Sequence, residues 1–235
     1  MKKLFSFLWK AIAAVLAVLV LGFLVLKLIY NDDVPQGESG KQADELALKM
    51  LDALNSHDFE KADYLEWTFR GVNHYQWYMQ ENQVTVSWDD KTVKLNTKNP
   101  GQSIATRNST NLTGEQLQEA IDYALKKFNN DSFWMVAPYK VMDPGTKREL
   151  VVEDGVEKLL IKYTSGGSTP GDAYLWELDE NYRPTSFKMW VSIIPLDGIE
   201  ARWNDWYQTE NGYYLANNKN VFGIEIPITG VSVTR

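Results

Sequence analysis

The stretch LEWTFRGVNHYQWYMQENQVTVSWDDKTVKL, residues 65–95, decides the fold class. Within it Val84, Val86 and Trp88 alternate with Thr85 and Ser87, so apolar and polar side chains fall on opposite faces of an extended chain. Asp89-Asp90 then supplies a turn, and Val93 and Leu95 restart the alternation on the return path. Period-two patterning broken by a short polar turn is the signature of an antiparallel hairpin with one apolar face.

The pattern continues along the chain. Phe187, Met189, Val191 and Ile193 share a face. Ile199, Ala201 and Trp203 do so too, with Asp205 as a polar exception, and Phe222, Ile224, Ile226 and Ile228 close the set. Turn chemistry separates these runs at Asp154-Gly155, Gly166 to Gly171, Glu180-Asn181, Leu196 to Gly198 and Asn211-Gly212. From Asp154 on, turns recur roughly every 12–15 residues, the spacing of a meander.

Two segments have helical spacing instead. Leu46, Ala47, Met50, Leu51 and Leu54 follow a capping-box pattern at Ser39 and Gln42, and the helix is expected to stop near Asn55-Ser56. Leu117, Ala120, Ile121, Ala124, Leu125 and Phe128 follow the same pattern at Thr113 and Gln116. Asn129-Asn130 is expected to end this second helix, with a separate short turn over 131–137 stopped by Pro138. An open sheet of about 10–11 strands must curl, and two helices cannot cover both of its faces. The expected fold is therefore mainly β with helices (α+β): a curved antiparallel sheet, a half-barrel, with two helices on its concave side.

The N-terminus adds one transmembrane helix. Residues 11–26 are apolar without a break, Lys2, Lys3 and Lys10 precede them, and Asn31, Asp32 and Asp33 follow. With flanks that snorkel, Leu4 to Ile29 spans a hydrocarbon core of about 30 Å. Positive residues before the span place the N-terminus in the cytoplasm and the rest outside. The stretch LKLIY at 26–30 offers no small-residue cleavage site, so a signal-anchor is expected rather than a cleaved leader. This divides the chain into residues 1–30 (cytoplasmic start and anchor), 31–38 (a short irregular linker, at most about 28 Å long) and 39–235 (an extracytoplasmic domain).

Composition narrows the function. The 235 residues hold 24 Lys+Arg, 31 Asp+Glu, two His and no Cys. Disulfides, thiolate metal sites and Cys nucleophiles are excluded. From residue 34 on, the count is 20 basic against 29 acidic residues, a net charge of −9. No basic face for nucleic acid is expected, and an acidic domain is not held to an anionic membrane by its overall charge. Gly166 to Asp172 has glycines but no Lys and no following helix, so it reads as a hairpin loop rather than a phosphate loop. His57 and His74 lack a nucleophile signature nearby. Asp131, Asp143, Asp172 and Glu177 lie near aromatic segments, where a pair could act as acid and base on a sugar, yet spacing selects no pair. No catalytic residue, metal ligand or cofactor is assigned.

The stretch 65–95, together with NDSFWMVAPYKVMDPG (130–145), GDAYLWELDE (171–180) and RPTSFKMWV (183–191), resembles the periplasmic lipoprotein-carrier superfamily, the LolA/LolB-like fold. The resemblance covers residues 40–235 in layout. It implies a half-barrel with a helical lid, here 113–128, around a hydrophobic cavity that takes acyl chains. It also implies an early-strand arginine that latches the lid, a role for which Arg70 is the candidate. Carriers of that superfamily are soluble and their outer-membrane receptor is lipidated on Cys, so lipoprotein shuttling is not implied for a tethered, Cys-free chain.

The nine Trp and twelve Tyr either fill a wide core or, in part, line a pocket for an apolar or sugar ligand. Tyr174, Trp176 and Leu178 oppose Ala173 and Leu175, and Trp190 opposes Met189 and Val191, so both faces of that part of the sheet are expected to be partly covered. The candidate ligand-binding residues are Trp67, Arg70, Trp77, Trp88, Leu117, Ile121, Trp134, Trp176 and Trp190. The expected function is a non-enzymatic, membrane-anchored module, single-pass with its C-terminal domain in the periplasm, that binds a membrane lipid or other hydrophobic small molecule. A glycan-binding or protein-partner scaffold domain of the cell envelope is the alternative.

Overall fold

The computed structural model describes residues 2–29, 31–165 and 169–234. Lys2–Ile29 forms one helix, α1. Its Phe5–Ile29 stretch is long and apolar enough to cross a membrane, and none of that stretch is buried against the rest of the protein. The remainder is α+β. The helices are α2 (Lys41–Ala53), α3 (Ser56–Glu60) and α4 (Gly114–Val136).

Among the described residues fourteen strands form two antiparallel sheets of seven. In the first sheet the strands are β1 (Tyr64–Phe69), β2 (Asn73–Tyr78), β3 (Gln83–Trp88), β4 (Lys91–Asn96), β5 (Ile104–Arg107) and β6 (Thr110–Asn111). The second sheet holds β7 (Thr146–Glu153), β8 (Val156–Tyr163), β9 (Ala173–Leu178), β10 (Pro184–Trp190), β11 (Ile199–Gln208), β12 (Tyr214–Val221) and β13 (Ile224–Glu225). The chain then returns to the first sheet as β14 (Ile228–Thr234), which pairs with β1.

A single sheet of ten or eleven strands was the expectation; the division into two has a local cause. β13 pairs with β12 and β14 pairs with β1, so residues 224–234 belong to both sheets in turn. Between them sits Pro227, which has no N–H to give to a ladder. Its carbonyl instead accepts from Arg70 N at 2.7 Å. The expected alternation of Phe222, Ile224, Ile226 and Ile228 also fails here. Phe222-Gly223 is a turn with φ of 54° and 75°, and it leaves Phe222 and Ile224 exposed while Ile226 is buried.

One core joins both sheets with α2 and α4. α4 buries Ala120, Ile121, Ala124 and Phe128 at i, i+4 spacing and packs on β4, β5 and β12, bridging the sheets. It does not end at Asn129-Asn130 but runs through to Val136. The reason is tertiary. The Asp131 carboxylate, 1% exposed, accepts from Asn73 Nδ2 (3.0 Å) and Tyr75 OH (2.6 Å) on β2, which holds the last two turns helical. Neither expected capping box forms. Gly40, not Ser39, is the N-cap of α2, and Thr113 caps α4 without a side-chain hydrogen bond.

The second sheet is apolar on both faces. Val151, Leu160, Ala173, Leu175 and Trp190 form a separate buried cluster on its outer side. Residues 31–38, irregular as expected, lie across this side as a strap. At one end Asn31 bridges to Asp197, Trp190 Nε1 donates to Asp32 O (2.6 Å), and Lys188 Nζ lies 2.9 Å from Asp32 Oδ2. At the other end Glu38 exchanges two 2.8 Å backbone hydrogen bonds with Leu150 on the edge strand β7. Gly37 is required there, because a Cβ would stand 2.8–2.9 Å from Glu149, Leu150 and Val151. The chain then rounds the edge, and α2 enters the inner core beside β7 and β8.

Candidate ligand-binding cavity

Antiparallel strands place alternate turns at the same end of a sheet. The β8–β9 and β10–β11 (191–198) loops therefore share one end of the second sheet, and the β1–β2 turn (70–72) of the first sheet lies beside them. A cavity of about 570 Å3 lies there, between the C-terminal half of α4 and the two sheets. That is ample for an acyl chain or a small amphiphile.

The walls are apolar. Phe133 of α4, Tyr163, Tyr174, Phe187 and Met189 of the second sheet, and Val191 line one side; Phe69, Tyr123 and Phe128 line the other. Edge and tilted ring contacts fix this wall: Phe133 sits 4.7 Å from Tyr174, and Tyr174 sits 5.2 Å from Phe187. Burial pushes the Tyr163 and Tyr174 hydroxyls well above the ordinary tyrosine range, with the nearby Asp143 and Asp172 charges adding to it. Both rings stay neutral at physiological pH. At the rim, Val72 and Ile193 are 56% and 60% exposed.

The polar groups divide by sign. Asp131 is buried and accepts from Asn73, Tyr75 and Asn130 (2.8 Å). Asp172 is buried and accepts from the Ser192 backbone N–H at 3.1 Å. Asp143 pairs with Lys140 at 3.0 Å. Each acid is thus engaged by the protein itself. By contrast, Arg70, Lys126 and Lys127 line the cavity with no carboxylate in ion-pair reach among the described residues. Arg70 lies 5.6 Å from the Phe69 ring and Lys127 the same distance from the Tyr123 ring.

Of the ligand-binding candidates read from sequence, Arg70 and Trp134 line this cavity, and of the candidate acids Asp131, Asp143 and Asp172 do. Trp67 and Trp176 are fully buried in the core, Trp67 stacked on Tyr75 and Trp176 edge-on to Phe187. Trp77 packs against that core, Trp88 is buried and stacks on Tyr123, Ile121 is buried on α4, and Leu117 is half-buried beside them. Trp190 lies on the opposite face of the second sheet, under the strap. Among the described residues of the domain no Trp is exposed, so no row of stacking platforms for a glycan is formed. Glu177 sits away from the cavity, bound to Lys158 and Ser186. His74 bonds Thr68 and Glu66 on the outer face of the first sheet, and His57 is exposed on α3. The loop glycines Gly166 and Gly167 fall outside the described residues, while Thr169 reaches the rim.

The wall residues Tyr163, Phe187, Met189 and Val191 are not among the ligand-binding candidates that the sequence offers. One signal was present: the apolar face of Phe187, Met189 and Val191 continues to Ile193, past the end of β10 and into an exposed loop. A buried face that runs on beyond its strand points to a wall rather than a core alone.

No family model matches the chain, and no curated protein matches it. Among solved structures it is similar to the crystal structure of a domain assigned to an outer membrane lipoprotein-sorting protein of Vibrio parahaemolyticus. The identity is 8%, the match covers 80% of this chain and 93% of that one, and the TM-score is 0.36.

Proposed function

We propose that the chain is a membrane-anchored extracytoplasmic module that binds a hydrophobic ligand without transforming it. In this reading residues 1–30 anchor it, 31–38 join the anchor to the domain, and 39–235 form a half-barrel holding the ligand in the periplasm. The observation that carries it is the apolar-walled cavity of about 570 Å3 beneath α4, with exposed Val72 and Ile193 at its rim. Burying apolar surface at about 25 cal/mol per Å2 makes one acyl chain worth several kcal/mol there. The ligand-contacting residues in this reading are Trp134, Phe133, Tyr174, Met189 and Val191, with Arg70 at the rim.

The test uses the full chain in vesicles and a fatty acid with a photoactivatable group at its chain end. Labelled peptides are expected from 123–134 and 187–194, and Met189→Trp, which fills the cavity, is expected to abolish that labelling in a protein of unchanged circular dichroism. Labelling confined to α1 would refute the reading.

A further inference from the structure

We propose that the cavity takes an anionic lipid from the very membrane that α1 occupies, with its head group on Arg70, Lys126 and Lys127 and its chain against Phe133, Met189 and Val191. This rests on the proposed function and deepens it by naming the ligand class and the route.

Two independent observations carry it. The first is charge. In a domain of net −9, the cavity gathers Arg70, Lys126, Lys127 and Lys140 against Asp131, Asp143 and Asp172. The lining thus carries four cations against three carboxylates, a net of +1; Asp131 and Asp172 are held by hydrogen bonds inside the protein and Asp143 by Lys140, while Arg70, Lys126 and Lys127 make no ion pair of their own among the described residues. Lys126 is exposed on α4, and Lys127 and Arg70 are each backed by a ring. An apolar slot rimmed by unpaired cations is complementary to an acyl chain carrying an anionic head. A fatty-acid carboxylate and a phospholipid phosphodiester share that chemistry.

The second is connectivity, and it selects the membrane as the source. α1 ends at Ile29, and two residues later Asn31 is bridged to Asp197 in the β10–β11 loop. Two residues reach about 7 Å at most. The same loop carries Ile193 and Ile194 at the cavity. The strap fixes the chain there through Asp32 to Lys188 and Trp190. The cavity rim is therefore held at the end of the domain where the chain leaves the bilayer, and the exposed Ile193 faces a lipid surface rather than open water.

The experiment compares photoactivatable phosphatidylglycerol and phosphatidylcholine, identical in chain, in vesicles holding the full-length protein. Phosphatidylglycerol is expected to label 123–134 and 187–194 roughly ten-fold more than phosphatidylcholine. Arg70→Gln/Lys126→Gln/Lys127→Gln is expected to erase that preference but keep the basal labelling; Lys126→Glu alone, at an exposed helix position, should reduce it and guards against misfolding of the triple variant. Equal labelling of wild type by the two lipids would overturn the head-group assignment. Loss of labelling on adding excess glycerol 3-phosphate would make the site one for a soluble anion and also overturn it. A flexible insert of about twelve Gly/Ser residues after Ile29, with an r.m.s. span of roughly 20 Å, should cut labelling from vesicles several-fold and leave labelling by a soluble short-chain probe unchanged. Unaltered vesicle labelling in that variant would overturn the route. Absence of cavity labelling by every probe would instead defeat the proposed function itself.

Discussion

The two sheets solve burial differently. The first has one apolar face: Val84, Val86, Val93 and Leu95 point inward, while Thr68, His74, Thr85, Ser87 and Thr92 form a polar outer face with cross-strand hydrogen bonds at Thr68–His74 and Ser87–Thr92. The second is apolar inside and out, and its outer cluster around Leu160, Leu175 and Trp190 needs a cover. Inside, the contrast reverses. α4 seals the first sheet with Ala120, Ile121, Ala124 and Phe128, whereas on the second sheet its Phe133 and Trp134 meet Tyr174, Phe187 and Trp203 through bulky rings that border the cavity. The sheet that looks over-supplied with apolar surface uses it twice, to dock residues 31–38 outside and to wall the cavity inside.

This contrast can be broken experimentally. The largest effect is expected at the shared core: Trp203→Ala, which removes contacts to Trp134, Trp176, Phe187 and Trp206, should cost about 3–5 kcal/mol in urea unfolding. The sharper comparison is Leu175→Ala against Thr85→Ala, outer-face positions on the two sheets. The first should cost about 2–5 kcal/mol and the second under about 0.5. Equal values would mean that the outer cluster is not a core.

Lys219 on β12 comes next. It is 2% exposed, it donates to Ala216 O and lies 5.5 Å from the Trp203 ring, and burial lowers it to about 8 from 10.5. The folded state then releases this proton before the unfolded chain does, so charge on Lys219 opposes folding. The penalty, about 3 kcal/mol, is full below the folded value and fades as pH rises from 8 to 10.5. Lys219→Met should be the more stable protein at pH 7, and the gap to wild type should close over that window.

Asp131→Asn turns an amide toward the Asn73 and Tyr75 donors. A loss of about 1–3 kcal/mol is expected, with faster hydrogen exchange confined to the last turns of α4. The smallest effect belongs to the strap: Asp32→Asn removes an exposed ion pair to Lys188 and should cost under about 1 kcal/mol, detectable as exchange at 31–34 but scarcely in global unfolding.

Local chemistry was legible in the sequence where it is self-contained. The hairpin of β3 and β4 stands as read, with its turn at Asp89 (φ 47°), and Asp154-Gly155 turns with both residues at positive φ. The two-faced character of 173–191 was also visible as opposed apolar sets. What escaped depends on partners far along the chain. Helix propensity at Asn129-Asn130 says stop, and the Asn73 and Tyr75 hydrogen bonds to Asp131, with burial of Met135 and Val136 in the core, overrule it. An apolar run over 222–228 says strand, although Phe222-Gly223 is free to turn because β12 offers a partner for only two residues beyond it. The aromatic residues mark packing material, but which of them meets α4 closely and which meets empty space is set by the spacing between helix and sheet, not by residue type.

The route of the chain through β14 bears on when the domain can form. β1 is flanked by β2, close in sequence, and by β14, the last strand in chain order, with Phe69 set against Ile228. One edge of the first sheet stays bare until nearly all of the chain is available, and closing so long a loop makes this slow, non-local pairing. The same arrangement carries a hazard. Removal of 228–234 would leave β1 as an open template for pairing with a neighbouring copy, so aggregation, rather than a milder loss of ligand, is the expected result of trimming that strand.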